Sequence, residues 1–177
     1  MSFDELLKKR YSCRNYSDKK VSLDDLEKIV NAGRISPTAR NSQPVSYYVV
    51  TSVDNVLEMR KDVQALGGNA FCEKVSAFIV LTIDKESYDN KLAGNRDYTG
   101  MNTGIIAHAM CLEATDLGLA TCMLGRFDRK AVAKMIGIDE EESERVMLVL
   151  AVGYSNDEVI QDKDERRKKM EEVTKYL

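Results

Sequence analysis

Residues 101–117 are apolar on almost every side of a helical projection, and this stretch constrains the fold more than any other. Its apolar side chains leave no wide polar face: they are Ile105, Ile106, Ala107, Ala109, Met110, Cys111, Leu112 and Ala114. A helix of this kind must be covered on most sides. Because a chain of 177 residues has few elements with which to cover it, we expect a second subunit to bury part of it.

Helical and strand patterns alternate on both sides of this helix. Capping signals predict that helices start at Ser2 and at Ser22, and the helix that starts at Ser22 should end near Gly33. Other patterns predict a helix over residues 54–63, an end of the apolar helix at Gly118, and a helix from Asp128 to Gly137. Strands are predicted over residues 47–51, 75–83, 119–124 and 146–152.

This order indicates the α+β class, with residues 1–177 forming one domain. We expect a central mixed sheet covered by helices, with the long apolar helix buried at its centre and at a dimer interface. Residues 146–152 should be a central strand buried on both faces. The proline-containing residues 36–44 should form a stiff, extended loop. Residues 84–98 fit either a surface loop or a lid, and the C-terminal segment fits a charged helix or arm.

Charge and composition narrow the function. The 26 basic and 29 acidic residues give a net charge near −3, which disfavours a nucleic-acid-binding surface. No apolar run reaches the roughly 18 residues of a membrane span, and the N-terminus lacks a secretion signal, so we expect a cytoplasmic protein. The cysteines have neither zinc-site nor disulfide spacing and should be buried; they are Cys13, Cys72, Cys111 and Cys122.

Residues 10–14, RYSCR, form a cationic cluster that residues 166–169, RRKK, could complete. Arginine offers forked donors to phosphate oxygens and serine adds a hydroxyl, so basic-x-Ser-x-basic suits a phosphate better than a lone carboxylate. A solvated helix end with scattered charges would give the same pattern. The one histidine, His108, lies in the apolar helix, where a core or interface role is expected.

Motifs for acyl transfer, P-loop phosphate transfer and Rossmann dinucleotide binding do not occur in the sequence. Where side chains offer phosphate-binding groups but neither a nucleophile nor a metal site, a phosphorylated organic cofactor is the economical hypothesis.

Four stretches in fixed order resemble the nitroreductase family of FMN-dependent oxidoreductases. They are RYSCRNY at 10–16, PTARNSQP at 37–44, GLATCMLG at 118–125, and GY at 153–154 followed by RKKMEEV at 167–173. The resemblance extends from Leu6 almost to the C-terminus. It implies a homodimer with an α+β fold, exchanged terminal segments and two FMN molecules between the subunits.

The resemblance also implies a role for individual residues. Arg10, with its neighbour Tyr11, and Ser12 would hold the FMN phosphate and ribityl chain, joined by Arg167 or Lys168. Arg14 would face the flavin pyrimidine, and Asn69 would contact the flavin. Leu124 and Gly125 would lie near its reactive part. The second subunit would contribute a loop with four matching positions: Pro37, Thr38, Asn41 and Gln43.

The implied activity is hydride transfer from NADH or NADPH through FMN to a small acceptor such as a nitroaromatic or a quinone, with the two substrates alternating. Val45 stands where an aromatic residue commonly follows Gln-Pro, and the chain has no tryptophan, so the acceptor stays open. The alternatives are a flavin-binding or dimeric interaction protein with little turnover, and a specialised member that dehalogenates, cleaves flavin or oxidises peptide heterocycles.

Overall fold

The structure, a computed structural model, describes residues 1–92, 98–158 and 167–177. In this part of the chain the α-helices are α1 (Phe3–Lys9), α2 (Leu23–Arg34), α3 (Val53–Gln64), α4 (Lys85–Leu92), α5 (Thr99–Asp116), α6 (Arg129–Ile136) and α7 (Met170–Val173). Two 3₁₀ turns cover Ala39–Asn41 and Ala70–Lys74. The strands are β1 (Val45–Val50), β2 (Ala77–Asp84), β3 (Ala120–Leu124) and β4 (Glu144–Gly153).

The four strands form one sheet in the order β1-β2-β4-β3, and each neighbouring pair is antiparallel. A parallel bridge between Ser12 and Thr121 extends the sheet beyond β3. The strands themselves therefore form an antiparallel sheet, and the expected mixed sheet is wrong; among the described residues, parallel pairing is confined to this isolated bridge. It also brings the segment after α1 alongside β3.

Helices cover both faces of the sheet, as the α+β prediction required. On one face α2 and α5 pack against Ile79, Leu81 and Leu150. On the other, α3 and α6 pack against side chains that alternate with these along the strands, such as Phe78 and Val80. This explains why the strands read as continuous apolar runs, and it confirms that β4 is buried on both faces.

The predicted helix start at Ser22 and helix end at Gly118 are confirmed, whereas the predicted end at Gly33 is wrong. Ser22 accepts a hydrogen bond from the backbone N–H of Asp25, and Gly118 ends α5 with a left-handed φ of 77°. Helix α2, however, continues through Gly33 to Arg34. A Cβ on Gly33 would lie 3.0 Å from the sulfur of Met110, so this glycine permits close packing of α2 on α5 and does not end the helix.

Helix α5 is covered on one side only. Ile106, Ala107, Met110 and Ala114 are buried against α2 and the sheet. On the opposite side Met101 is 54% exposed and Ile105 is 40% exposed. His108 is also exposed, so a core role for it is wrong, and an interface role stays a prediction. The described part of the chain leaves the face of α5 with Met101 and Ile105 uncovered, as the sequence led us to expect.

The segment 84–98 is helical at its start, because α4 occupies Lys85–Leu92. Its predicted role as a lid or surface loop partly concerns residues 93–97, which lie outside the described residues, as does Arg166. Among the helices that are described, none has the length and apolar content needed to cross a membrane. The four cysteines are buried, as expected.

Candidate flavin site

The segment after α1 is extended and presents alternate side chains to opposite sides. The backbone N–H of Cys13 donates to the carbonyl oxygen of Thr121 at 2.9 Å, which fixes the segment against β3. Cys13 is buried, Arg10 and Tyr11 are half-buried, and Ser12 and Arg14 are exposed. Because side chains alternate along an extended chain, Arg10, Ser12 and Arg14 share the outer side. This spacing places two guanidinium groups and a hydroxyl in one row.

Tyr11 anchors this segment to the residues that follow β4. Its hydroxyl contacts the hydroxyl of Ser155 and donates to Oδ2 of Asp157 at 2.8 Å. Nδ2 of Asn15 donates to Oδ1 of the same carboxylate at 2.9 Å. Hydrogen bonds from Asn15 and then Tyr11 lower the pKa of Asp157, so the carboxylate is charged at neutral pH. The Tyr11 side chain thus turns away from the Arg10 row, and only its backbone could reach a ligand there.

The loop before β2 closes in on the end of β3. Asn69 has a left-handed φ of 57°, and its Nδ2 donates to the carbonyl oxygens of Val63 at 2.9 Å and Arg126 at 2.7 Å. A ligand contact by the Asn69 side chain would therefore use its oxygen. Nη2 of Arg126 donates back to the carbonyl oxygen of Leu66 at 2.8 Å. These bonds place Asn69 beside Arg126, the residue after Gly125.

Arg14 connects the segment after α1 with the loop before β2. Its Cζ lies 5.7 Å from the centroid of the Phe71 ring, and its Nη1 donates to the carbonyl oxygen of Ser12 at 3.3 Å. Burial raises the pKa of the Cys122 thiol on β3, and Arg14 opposes this shift. The structure therefore brings together six of the predicted residues within one chain: Arg10, Ser12, Arg14, Asn69, Leu124 and Gly125.

The loop with Pro37, Thr38, Asn41 and Gln43 lies elsewhere. It is not simply extended, as predicted, because Ala39–Asn41 forms a 3₁₀ turn. The N–H of Ala39 donates to Oδ1 of the buried Asn102 at 3.0 Å, which fixes the loop to the first turn of α5. The Arg10 segment lies farther along that helix, because Ser12 pairs with Thr121 of β3, which begins four residues after α5 ends at Asp116. Burial raises the pKa of the Cys111 thiol near that end of α5, and Thr121 and then Arg10 oppose this shift.

Asn102 and Cys111 are nine residues apart, which is about 14 Å along a helix. The loop and the cationic row are therefore attached to α5 at well-separated points of the same chain. Among the described residues, no hydrogen bond or ion pair links the loop to the cationic row.

Arg167 and Lys168 precede α7 on an exposed arm. The hydrogen bonds described within residues 167–177 are local, such as that from the N–H of Lys169 to Oε2 of Glu172 at 2.8 Å. Four apolar side chains on the arm are largely exposed: Met170, Val173, Tyr176 and Leu177. The described part of the chain thus gives Arg167 and Lys168 no contact with Arg10.

Sequence reasoning missed several residues that build this site. Phe71 contacts Arg14, Asn102 fixes the loop, and Ser155 with Asp157 fixes Tyr11. Asn102 could have been found as a polar residue at the start of an apolar helix. The others act across about 60 to 140 residues, where no local pattern gives a signal. Within the described ranges, no group of histidine, cysteine and carboxylate side chains could hold a metal ion.

Two overlapping stretches of the chain, residues 7–67 and 55–154, match the model of the Nitroreductase family. The chain belongs to the nitroreductase family. A relative from Archaeoglobus fulgidus, provisionally named an NADH dehydrogenase/NAD(P)H nitroreductase, is 31% identical over 157 residues. That alignment covers 84% of this chain and 83% of the relative.

Solved structures of similar proteins support the same assignment. A nitroreductase family protein from Clostridium difficile 630 is 28% identical, with a TM-score of 0.82, over 99% of this chain and 98% of the other. A provisionally named nitroreductase from Desulfovibrio desulfuricans, solved in complex with FMN, shares the fold at 19% identity and a TM-score of 0.78. The alignment covers 98% of this nitroreductase-family chain and 95% of that one. The nitroreductase fold is therefore established for the chain.

Proposed function

We propose that this nitroreductase-family protein is an FMN-dependent oxidoreductase that takes a hydride from NADH or NADPH and passes it to a small organic acceptor. The observation that carries the proposal is the row of Arg10, Ser12 and Arg14 alongside β3. The guanidinium group of Arg10 and the hydroxyl of Ser12 match donors that a phosphate monoester requires, and Arg14 adds a second cation farther along the row. FMN, when bound, supplies the hydride chemistry between nicotinamide and acceptor.

The chain offers the groups that this cofactor needs. Arg10 and Ser12 would hold the phosphate, and Arg14 would place a positive charge at the pyrimidine edge. Gly125 is exposed, and a Cβ placed there would meet no atom within 4 Å, so a flat ring could approach its backbone. The Leu124 side chain is buried in the core, so only its backbone at the end of β3 would face the ring, and the Asn69 oxygen would face the polar edge of the ring.

The proposal includes a homodimer in which each flavin contacts both subunits. The uncovered apolar face of α5, with Met101 and Ile105 exposed, supports a second subunit. The separation of about 14 Å along α5 between the two attachment points supports a partner origin for the 37–43 loop. From that subunit Pro37, Thr38 and Asn41 would approach the flavin, with Gln43 shaping the loop.

The exposed arm supports a similar exchange at the C-terminus. Apolar side chains such as Tyr176, 92% exposed, are expected to gain cover from another chain. Arg167 or Lys168 would then join Arg10 at the phosphate.

Identification of the cofactor tests this function. We expect the purified protein to release FMN, and not FAD, because the row of donors suits a single terminal phosphate. Mass spectrometry of the released cofactor decides between them. Steady-state rates with varied NAD(P)H and nitroaromatic should give the parallel reciprocal plots of two alternating substrates. FAD, or no flavin after reconstitution with excess FMN, would contradict the proposal, and bound FMN without turnover would favour a flavin-binding interaction protein.

Replacement of Arg14 by Gln should lower the reduction potential of the bound flavin. A cation at the pyrimidine edge favours the negative charge that gathers there on reduction, by about 1–3 kcal/mol. For a two-electron couple this corresponds to a fall of about 20–65 mV. The potential is measured by equilibration with a reference dye, and Arg14→Lys, which keeps the charge, should show a smaller fall. An unchanged potential in an Arg14→Gln protein that still binds FMN would leave Arg14 with a structural role only.

A further inference from the structure

Arg40 has a backbone conformation that arginine rarely adopts. Its φ and ψ are 56° and 20°, within the 3₁₀ turn Ala39–Asn41. In this left-handed region the Cβ of an ordinary residue is crowded, so glycine and asparagine are the residues usually found there. Its neighbours Asn41 and Gln43 are also left-handed, with φ of 55° and 49°. Strain of this kind points to a role for the side chain that it presents.

Hydrogen bonds of its neighbours hold Arg40 in this conformation. The N–H of Gln43 donates to Oγ1 of Thr38 at 3.0 Å, and the N–H of Asn41 donates to the carbonyl oxygen of Thr38 at 2.9 Å. The N–H of Ala39 is held by Asn102, as described above. The turn therefore fixes the position from which the Arg40 side chain extends.

The Arg40 side chain is exposed, and none of the bonds that hold the turn uses it. Among the described residues, no hydrogen bond, ion pair or aromatic contact occupies its guanidinium group. By contrast, Arg34 at the end of α2 donates from Nε and Nη2 to Oδ1 of Asn31, at 3.0 and 2.8 Å. Arg40 thus offers a complete planar set of donors, which suits the paired oxygens of a carboxylate or phosphate.

We propose that Arg40 selects substrates by binding an anionic group as the substrate lies against the flavin of the partner subunit. The inference rests on the proposed function, in which Thr38 and Asn41, on either side of Arg40, approach that flavin. The anionic group belongs either to the acceptor, as a carboxylate, or to NADPH, as its 2′-phosphate. Both present oxygens to the same fork of donors.

Two nitroaromatic acceptors of nearly equal shape test the first source. For the FMN-loaded wild-type protein and for Arg40→Gln, kcat/KM is measured with 4-nitrobenzoate and with neutral 4-nitrobenzamide. We expect Arg40→Gln to lower the ratio of kcat/KM for 4-nitrobenzoate to kcat/KM for 4-nitrobenzamide about tenfold, which is the effect of losing one hydrogen bond between charged groups. Arg40→Lys should restore part of the ratio, and added salt should reduce the wild-type ratio. Lys20→Gln, which removes an exposed charge elsewhere, should leave the ratio unchanged.

The second source is tested in the reductive half-reaction. If Arg40 binds the 2′-phosphate, Arg40→Gln will slow flavin reduction by NADPH relative to NADH, and the ratio of kcat/KM for 4-nitrobenzoate to that for 4-nitrobenzamide will stay constant.

Binding of unreactive analogues gives a readout of the first source that does not depend on activity. The dissociation constants of benzoate and of benzamide are compared by following the perturbation of the flavin spectrum. Arg40→Gly, which suits the left-handed backbone, should lose the same selectivity without a lower Tm.

The inference is overturned if Arg40→Gln changes neither the ratio of kcat/KM for the two nitro compounds nor the ratio of the flavin reduction rates with NADPH and NADH. A lowered dimer stability in Arg40→Gln with no change in either ratio also overturns it, because Arg40 would then pair with the partner subunit. Failure of the wild-type protein to pass electrons from NADH or NADPH to any nitroaromatic or quinone would instead reject the proposed function, and the inference with it.

Discussion

Replacement of Arg10 by Glu should abolish retention of FMN during purification and weaken its binding at least about 100-fold. The change removes a charge-assisted hydrogen bond and places a negative charge against the phosphate, a combined loss of about 3–5 kcal/mol. Binding is measured by titration of the apoprotein with FMN, whose fluorescence is quenched in the site. Arg10→Lys keeps the charge but not the fork, so its loss should be smaller.

Riboflavin, which lacks the phosphate, separates a binding role from a structural one. If Arg10 binds the phosphate, Arg10→Glu should weaken FMN binding far more than riboflavin binding. Lys20→Glu, a charge reversal on an exposed residue outside the row, should affect neither ligand. An equal loss for both ligands, together with a lowered Tm, would show that Arg10 supports the fold and does not contact the phosphate.

Mixing two inactive variants should restore activity if the site is shared between subunits. Arg10→Glu damages the phosphate row, and Asn41→Trp fills the space that the flavin ring would occupy. Each homodimer should be inactive, because both of its sites carry one defect. In a hybrid dimer both defects fall in one site and the other site is intact. Random exchange makes about half of the dimers hybrid, so about one quarter of the wild-type activity should return.

Co-refolding of the two proteins, followed by separation of the hybrid through a tag on one chain, gives the measurement. The geometry behind this expectation is the attachment of the 37–43 loop at Asn102, in the first turn of α5, and of the Arg10 segment to β3, which follows the other end of α5. No recovery of activity in an isolated hybrid would mean that each site is built within one chain. The uncovered face of α5 would then need another explanation.

Elements whose signal is local were predictable from the sequence. Helix α5 follows from its apolar composition. Its end follows from Gly118, because glycine adopts the left-handed backbone conformation found there without strain. The buried strands follow from continuous apolar runs, since both faces of the sheet carry helices. The cationic row was also foreseeable, because alternation along an extended segment puts Arg10, Ser12 and Arg14 on one side.

Features that depend on contacts between distant segments were not predictable. Gly33 carries the same glycine signal as a helix end, but its reason is the approach of Met110 from α5. Tyr11 belongs to the same motif as Arg10, yet its hydroxyl is held by Ser155 and Asp157, which lie more than 140 residues later. The left-handed turn at Arg40 depends in part on Asn102, which the loop sequence does not reveal. The periodicity of apolar residues shows which face of a single helix or strand is buried, whereas these features depend on contacts between two elements that are distant in the sequence.

Anaerobic titration of the purified protein with NADH and with NADPH tests the central claim most directly. The account predicts that about one equivalent of at least one nicotinamide bleaches the blue-light absorption of bound FMN, because a hydride carries the two electrons of the couple. Later addition of a nitroaromatic, still without oxygen, should restore that absorption. If bound FMN stays oxidised with excess NADH and NADPH, or is reduced but never reoxidised by any nitroaromatic or quinone, the protein is not the oxidoreductase proposed.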